Sequence, residues 1–359
     1  KMPPLAKPAL AEPWSPDVYL SFDAEGTAFI ISHRSEMGQG IRTGLPAVLA
    51  DELEADWDRV EIVQATGDEK YGDQNTDGSW SVRGFMQPMR EAGATARLML
   101  EQSAAQQWGV DVAECKASLH TVVHQPSGRS LDYSELVAGA AELPVPGADL
   151  LELKSPDQFR YIGKALPIVD MHDMTHGGAM YGADIRLPGM KFAAIARPPV
   201  VFGKVKTYDA AKALAVTGVE QVVELPAAEA PSMFKAQGGV AVIASNSWAA
   251  LRARDLLDIE WDDGSNADYD SDSYKQVLLQ AVRQPGSVLR QQGDVDQALE
   301  TAEQTLEAEY YAPHLAHASM EPPAAVASVT ADFCEVWAPT QNPQSLIPMV
   351  EAATGLTKE

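Results

Sequence analysis

A glycine-rich hexapeptide, Ser35-Glu36-Met37-Gly38-Gln39-Gly40, carries the clearest chemical signal in the sequence. Residues 27–33, just before it, are rich in β-branched and aromatic side chains, which is typical of a buried strand. Apolar residues recur at helical spacing after it, at Ile41, Leu45, Val48, Leu49 and Leu53. The glycines are therefore predicted to lie between a strand and a helix, where free backbone N–H groups and the helix dipole favour a bound anion.

Two interpretations of this loop stay open on the residues alone. In the first, Gly38 and Gly40 lack a Cβ so that an anionic ligand can approach the main chain. In the second, they serve only the geometry of a tight turn. The pattern is not the dinucleotide fingerprint G-x-G-x-x-G, because Thr43 stands in place of the third glycine, and it is not a P-loop, because no Gly-Lys-Ser/Thr follows.

A second polar loop, residues 67–84, contains Gly78-Ser79-Trp80-Ser81. It follows a predicted strand at residues 60–66 and precedes a predicted helix that ends near Trp108-Gly109. Its length favours a functional loop, with disorder as the alternative. If the two strand ends are adjacent, backbone N–H groups and the hydroxyls of Ser79 and Ser81 converge on one anionic ligand. The alternative is that these serines only cap the helix.

Composition excludes several classes of function. The chain has 27 Lys and Arg against 51 Asp and Glu, a net charge of −24, which argues against a nucleic-acid or anionic-membrane partner. The two cysteines, Cys115 and Cys334, exclude an internal four-thiolate iron–sulfur cluster and a disulfide-stapled scaffold. Free thiols are the default, with a single bridge as the alternative. No run reaches the roughly 18 apolar residues of a membrane span, and no signal peptide is visible.

The histidines give weak signals for metal binding. His172 and His176 are four residues apart, but zinc needs three or four ligands and no others are near in the sequence. For His314 and His317, a structural or pocket-lining role is favoured over a metal. No G-x-S-x-G elbow occurs, so the sequence gives no support for Ser-His-Asp chemistry.

The residue patterns in the rest of the chain predict an α+β fold. A turn at residues 23–26 joins a strand at 18–22 to the strand at 27–33, and the helix after the first glycine loop spans about 41–55. Further strands are predicted at residues 191–196, 219–225, 239–243, 257–261, 306–311, 324–329 and 334–337. Further helices are predicted at residues 247–257, 272–283 and 344–355.

Glu36-Met37-Gly38-Gln39-Gly40 resembles the Glu-Met-Gly-Gln-Gly motif by which large subunits of xanthine oxidase-family molybdenum hydroxylases contact their cofactor. Residues 67–83 resemble the second cofactor-binding loop of that family. Residues 161–264 resemble its α/β hammerhead domain, and residues 309–343 resemble the opening of its main molybdenum-binding domain. Because the glycine motif precedes the hammerhead segment, the order is similar to the branch of isoquinoline 1-oxidoreductase β-subunits and membrane-associated aldehyde dehydrogenases.

This resemblance implies an α+β fold with a molybdenum-cofactor-binding α/β domain, then an aldehyde oxidase/xanthine dehydrogenase hammerhead domain, then the start of a second molybdenum-binding domain. The predicted segments are an extended arm at 1–16, the cofactor-binding subdomain at 17–142, a linker at 143–159, the hammerhead domain at 160–262, a connector at 263–303 and the start of the main molybdenum-binding domain at 304–359. We expect the chain to be the N-terminal half of a large subunit that is split, nicked or truncated.

The resemblance also implies functional residues. Cofactor contacts are expected from Met37, Gly38, Gln39, Gly40, Gly78, Ser79, Trp80 and Ser81, whereas His314, Leu315 and His317 are expected on the substrate side. The metal is expected to be held through the pterin, with no direct protein ligand. Leu315 stands where many relatives have a glutamine, and leucine cannot hydrogen-bond a metal oxo group. The Gly-Gly-Gly-Phe-Gly loop and the catalytic glutamate in Gly-Glu-Pro do not occur in this sequence, so the general base is expected outside this chain.

The implied activity is oxidation of an aldehyde to a carboxylic acid, or hydroxylation of an N-heteroaromatic, with water as the oxygen source. The implied cofactor is molybdenum-molybdopterin in the cytosine dinucleotide form. The implied partners are the remaining half of the large subunit and a small [2Fe-2S] subunit that takes the electrons, with a cytochrome c subunit as an optional third. A periplasmic location, with membrane association through partners, is implied as well. The alternative is a non-catalytic scaffold or assembly fragment that keeps the fold without the cofactor.

Overall fold

A computed structural model describes residues 14–232 and 235–358. The chain forms two compact units: the first runs to Ile185 and resumes at Glu321, and the second comprises Arg186–Met320. The predicted arm at residues 1–16 lies mostly outside the described residues, and its last three residues belong to the first strand. The other predicted domain boundaries stay a prediction.

The first unit is built around a four-stranded sheet. Its strands, in spatial order, are β1 (Trp14–Asp17), β2 (Leu20–Phe22), β3 (Ala28–Ser32) and β4 (Val60–Gln64). β1, β2 and β3 are antiparallel neighbours, and the predicted turn between β2 and β3 is confirmed by a hydrogen bond of 3.3 Å from the Asp23 N–H to the Thr27 carbonyl.

β3 and β4 run parallel, and the helix α1 (Ile41–Glu52) connects them. Ser32 at the end of β3 pairs with Gln64 at the end of β4. Parallel neighbours end at the same edge of a sheet, so the two polar loops start side by side. The two strand ends are therefore adjacent, as a ligand site made from both loops requires.

The second loop leads into α2 (Trp80–Trp108), a 29-residue helix that packs on α1. Gly93 lies at this contact, because a Cβ built on it would come within 2.4 Å of the Leu49 carbonyl oxygen. The packed faces of the two helices are fully buried at Leu49, Leu53, Met89 and Leu100. This core fixes the direction in which α2 starts, beside the first loop.

A second sheet completes the N-terminal part of the first unit. It is antiparallel and contains β5 (Cys115–Ser118), β6 (Thr121–His124) and β7 (Ser130–Asp132). It is followed by α3 (Tyr133–Ala141) and, after a long segment, by α4 (Met171–His176). Tyr133 is fully buried and donates a hydrogen bond of 2.7 Å to the Leu53 carbonyl, which joins α3 to the end of α1.

Part of the predicted linker at residues 143–159 is anchored to α1 by a buried carboxylate. Asp51 accepts hydrogen bonds from the N–H groups of Tyr161 and Ile162, both at 2.8 Å, and from the Lys154 ammonium at 2.5 Å. Burial raises the pKa of the Asp51 carboxyl, but these donors together bring that pKa below its usual value. The start of the segment predicted as the hammerhead domain is therefore packed on the first unit.

The second unit contains two small antiparallel sheets and four helices among its described residues. Its strands are β8 (Phe192–Ala196), β9 (Lys204–Asp209), β10 (Val219–Leu225), β11 (Gly239–Ala244) and β12 (Asp258–Asp262), ordered β10-β11-β8 and β12-β9. Its helices are α5 (Ala211–Leu214), α6 (Ser247–Arg254), α7 (Ser271–Val282) and α8 (Val295–Glu300). The strand predicted at residues 306–311 is wrong, because this stretch is exposed and pairs with no strand in the described chain.

The chain then returns to the first unit as the hairpin β13 (Val326–Val329) and β14 (Cys334–Trp337), followed by α9 (Pro343–Thr354). These elements match the predicted strands and helix closely. Cys115 and Cys334 are free thiols, as expected by default. None of the helices in the described ranges, α2 included, is both long enough and apolar enough to span a membrane.

Candidate functional site

The two loops that leave β3 and β4 are joined by the buried side chain of Arg34. Its Nε donates a hydrogen bond of 2.9 Å to the Ser81 hydroxyl, and its terminal nitrogens donate to the carbonyl oxygens of Asp73 and Asn75. The Asp73 carboxylate lies 3.6 Å from the guanidinium and offsets part of its charge. The guanidinium therefore fixes the first loop to the second loop and to the start of α2.

A second connection runs through Thr76. Its hydroxyl accepts a hydrogen bond of 2.8 Å from the Ser35 N–H. Both Ser35 and Thr76 are buried, so these polar groups have few competing water partners. Sequence reasoning missed Arg34 and Thr76, because their roles depend on contacts about 40 residues apart; a charged residue directly after a buried strand was the available signal for Arg34.

The first loop is closed by the carboxylate of Glu36. Its Oε1 accepts hydrogen bonds from the N–H groups of Gly38 at 2.7 Å and Gly40 at 2.9 Å. Its Oε2 accepts from the Arg42 N–H at 3.0 Å, in the first turn of α1. The N–H groups predicted to be free for an anion are therefore occupied by a side chain of the same loop.

Gln39 is also bonded within the loop. Its Oε1 accepts a hydrogen bond of 2.6 Å from the Met37 N–H, and its Nε2 donates one of 3.1 Å to the Ser35 carbonyl. The Met37 side chain is exposed. The loop thus presents the Met37 side chain and the surfaces of its glycines outward, with its polar groups turned inward.

Three glycines of the two loops face open space. Gly38, Gly40 and Gly78 all have positive φ angles, and a Cβ built on any of them would have no atom within 4 Å. Glycine adopts such angles without the steric cost that other residues carry. The backbone at these positions is therefore accessible to a group that approaches closely.

The start of α2 differs from the start of α1 because no side chain caps it. Ser79 occupies the N-cap position with a φ of 58° but makes no side-chain capping bond, and the Ser81 hydroxyl is engaged by Arg34. The capping alternative for these two serines is therefore not observed. Trp80 is exposed, and the Arg83 guanidinium lies 4.8 Å from the centre of its ring. An uncapped helix start beside a cation favours an anionic ligand.

The segment that rejoins the first unit at Glu321, here called the return segment, also contacts the second loop. The Thr76 N–H donates to the Gln341 carbonyl at 2.8 Å, and Gln341 Nε2 donates to the Thr76 carbonyl at 3.0 Å. Gln344 Nε2 donates to the Gly72 carbonyl at 2.9 Å, while its Oε1 accepts from the Gln74 N–H at 3.2 Å. These contacts hold the loop in one conformation, so disorder of this loop is not observed.

His33 follows the last residue of β3 and precedes Arg34. Its ring is buried against Tyr19 and Phe85, at centroid distances of 4.8 Å and 4.2 Å. Neither ring nitrogen has a hydrogen-bond partner among the described residues. Burial, with a smaller contribution from the Arg34 charge, lowers the pKa of His33 to about 4, so the ring is neutral at pH 7.

The remaining histidines and Leu315 that the sequence singled out belong to other elements of the chain. His314, Leu315 and His317 belong to the second unit, where His314 Nδ1 lies 3.0 Å from the Tyr269 hydroxyl and Leu315 is exposed. Their substrate-side role stays a prediction. His172 and His176 stack on each other in α4, and no cluster of three or more His, Cys, Asp or Glu side chains suited to a metal occurs in the described ranges.

Comparison with known proteins identifies what this arrangement belongs to. Two family models, both described as a molybdopterin cofactor-binding domain, match residues 5–182 and residues 281–359. The chain belongs to the xanthine oxidase family of molybdenum hydroxylases. Both glycine loops fall within the first match, and the supporting segment with Gln341 and Gln344 falls within the second. The α+β class expected of this family is confirmed.

Among curated members of the family, the chain is 31% identical to the isoquinoline 1-oxidoreductase β-subunit of Brevundimonas diminuta, over 92% of this chain and 47% of that protein. It is 30% identical to a membrane-bound aldehyde dehydrogenase [pyrroloquinoline-quinone] of Gluconacetobacter polyoxogenes, over 93% of this chain and 44% of that protein. It is also 30% identical to a nicotinate dehydrogenase subunit of Pseudomonas putida, over 92% of this chain and 27% of that protein. The chain thus spans about half the length of the first two of these relatives.

Among solved structures, quinoline 2-oxidoreductase from Pseudomonas putida 86 matches 52% of this chain and 28% of its own, with 18% identity and a TM-score of 0.35.

The residues of the site fit the cofactor that the family implies. A molybdopterin carries phosphate and needs close backbone approach, and the open glycines and the uncapped start of α2 beside Arg83 provide both. The roles of the individual residues as cofactor contacts stay a prediction.

Proposed function

We propose that this chain is the molybdopterin-binding part of a molybdenum hydroxylase. Its reaction is oxidation of an aldehyde to a carboxylic acid, or hydroxylation of an N-heteroaromatic, with water as the oxygen source. The observation that carries the proposal is the pair of glycine loops at one sheet edge, joined by Arg34, within a chain that matches molybdopterin cofactor-binding domains.

When bound, the cofactor supplies the metal that carries out the oxidation. The chain's own residues would hold and orient it. Met37, Gly38, Gln39 and Gly40 would form one wall, and Gly78, Ser79, Trp80 and Ser81 the other. Arg34 keeps the two walls at a fixed separation, because it directly precedes the first loop in the chain and its guanidinium bonds to residues of the second loop.

The substrate class and the partners are proposed from the relatives. Their names point to aldehydes and to N-heteroaromatic compounds such as isoquinoline and nicotinate. The general base is proposed to be a glutamate outside this chain, in the remaining part of the large subunit. Electrons would pass to a [2Fe-2S] subunit, with a cytochrome c subunit as an optional further acceptor, because this chain has only two cysteines. The cytosine dinucleotide form and a periplasmic location, with membrane association through these partners, are further parts of the proposal.

The direct test is chemical analysis of the native complex. We expect molybdenum and pterin in equal amounts, one of each per copy of this chain, and oxidation of an aldehyde or an N-heteroaromatic with ¹⁸O incorporated from labelled water. Active complex without molybdenum or pterin would refute the proposal.

A matched pair of glycine substitutions tests the first loop. Gly40 and Gly128 both have positive φ angles, 82° and 71°, and open space where a Cβ would be. Alanine at either position should therefore have a similar backbone cost of about 1–2 kcal/mol. We expect Gly40→Ala to lower the molybdenum content severalfold and Gly128→Ala to leave it unchanged. Equal loss in both variants would mean that the loop does not contact the cofactor.

The second candidate is a scaffold or assembly fragment that keeps the fold without cofactor. The closure of the first loop by Glu36 favours it, since the loop satisfies its own N–H groups without a ligand. Native complex that lacks molybdenum and pterin, and shows no oxidation activity, would support this candidate.

A further inference from the structure

The Glu36 carboxylate fills the position that an anionic ligand was expected to take in the first loop. Three backbone N–H groups, those of Gly38, Gly40 and Arg42, point at its two oxygens over 2.7–3.0 Å. A carboxylate that accepts hydrogen bonds from backbone N–H groups at a helix start is stabilised by the charge-assisted bonds and by the helix dipole.

The short separation in sequence makes this arrangement local. Glu36 is two residues from Gly38 and six from Arg42, so the carboxylate reaches these N–H groups without any contact from elsewhere in the chain. Gly40 stands at the N-cap of α1 and has no side chain with which to cap it. Glu36 therefore does for α1 what an N-cap side chain does for an ordinary helix.

We propose that Glu36 is a positioning residue that holds the first loop in its binding conformation, and that the loop's N–H groups stay bonded to Glu36 when the cofactor is bound. This inference rests on the proposed function. On this inference, the first loop contacts the cofactor through its glycine surfaces and side chains. The N–H groups of Gly38 and Gly40 do not bind the cofactor's negative charge.

The opposing mechanism is displacement, in which Glu36 is a placeholder that leaves when an anion arrives. The two mechanisms differ in what removal of the carboxylate does. If Glu36 positions the loop, its loss loosens the loop and weakens cofactor retention. If Glu36 is displaced, its loss removes a competitor and strengthens binding of an anion.

Hydrogen exchange followed by mass spectrometry separates the two mechanisms in cofactor-free protein, with inorganic pyrophosphate as the probe. In the wild-type protein we expect protection of the peptide that covers residues 36–42, unchanged by pyrophosphate. In Glu36→Ala we expect exchange of this peptide to be about tenfold faster, because its amides lose their acceptor. Glu36→Gln keeps one carbonyl oxygen for Gly38 and Gly40 and should be intermediate.

Glu25→Ala is the matched control. Glu25 is an exposed glutamate in the β2–β3 turn, and its side chain makes no hydrogen bond among the described residues. Exchange at residues 36–42 should be unaffected by this change. Pyrophosphate-dependent protection of residues 36–42 in the wild-type protein, or unchanged exchange in Glu36→Ala, would overturn the inference.

Cofactor content of the native complex gives the second readout. We expect Glu36→Ala to retain severalfold less molybdenum than the wild-type complex, and Glu36→Gln to retain an intermediate amount. Equal or higher molybdenum in Glu36→Ala would also overturn the inference. Wild-type complex without molybdenum would instead refute the proposed function, while the exchange experiment would still report on Glu36.

Discussion

His33 should make the first unit sensitive to mild acid. Its imidazole is buried with a pKa of about 4, whereas a histidine in the unfolded chain titrates near 6.5. As the pH falls below 6.5 the unfolded state binds a proton that the folded state does not bind, so the free energy of unfolding decreases until the pH reaches about 4. Between pH 7 and pH 5 this linkage amounts to about 2 kcal/mol.

His120 adds an effect of the same sign and similar size. Burial lowers its pKa to about 4 as well, and its ring is fixed by the Asp56 N–H at 2.7 Å and the Gly26 carbonyl at 3.1 Å. The pKa values of the Asp51 and Asp132 carboxyls are lowered, so those groups contribute stability that is lost mainly below pH 4. Burial raises the pKa of the Glu101 and Asp17 carboxyls, so protonation of these groups offsets part of the histidine effect, and the change on substitution of His33 isolates that one residue.

The substitution is His33→Phe, with His33→Leu as a second variant in case the larger ring is not accommodated. Either variant should reduce the loss of stability between pH 7 and pH 5 by about 2 kcal/mol, about half of the wild-type histidine effect. A change in packing energy that is the same at pH 7 and pH 5 cancels when the free energies of unfolding at the two pH values are subtracted. Urea unfolding at pH 7 and at pH 5 gives the two free energies of unfolding. Hydrogen exchange in the peptide that covers β3 assigns the change to the first unit.

The control is His172→Phe, because His172 is exposed in α4. It should leave the pH dependence at the wild-type value. If His33→Phe and His33→Leu both lose as much stability as wild type between pH 7 and pH 5, the buried ring is not the acid-sensitive group and the reasoning is refuted.

Four further substitutions test the contacts that position the site. Gly93→Ala should destabilise the protein by about 1–3 kcal/mol, because the added Cβ meets the facing helix. Gly44→Ala, at an open position of α1, should instead stabilise it by up to about 1 kcal/mol. Thermal unfolding measures both changes, and a change of the same sign in the two variants would contradict this packing. Asp51→Asn should cost about 2–3 kcal/mol and speed hydrogen exchange at residues 154–162, and unchanged exchange there would count against the anchor. Arg34→Met should increase exchange at residues 73–76 with little change around β7, and a uniform change would mean that Arg34 does not specifically join the loops.

Much of the fold around the site could be predicted from local sequence patterns. The strand at residues 27–33 and the helix after Gly40 follow from apolar spacing, and the two strand–loop–helix repeats indicated where a ligand site would lie. These features depend on residues within one turn or one strand of each other, so local propensity decides them.

The features that could not be predicted depend on contacts between residues far apart in the sequence, or on which of several acceptors binds a given N–H group. Arg34 is one of 27 basic residues in the sequence, and only the fold shows that its guanidinium bonds to the second loop. Glu36 belongs to the motif, but its sequence position does not reveal that its carboxylate captures the N–H groups of its own loop. The strand predicted at residues 306–311 failed for a related reason: strand propensity is expressed only where a neighbouring strand is available for pairing.

The support of the second loop by the return segment has a consequence for the order in which the protein can be made. Thr76 and Gln344 are separated along the chain by the whole second unit, yet the loop at residues 72–76 depends on Gln341 and Gln344 for four of its hydrogen bonds. During synthesis the ribosome must produce more than 260 further residues before these bonds can form. Until then the first glycine loop is complete and the second is not, so the two walls of the candidate site should both be in place only late in translation.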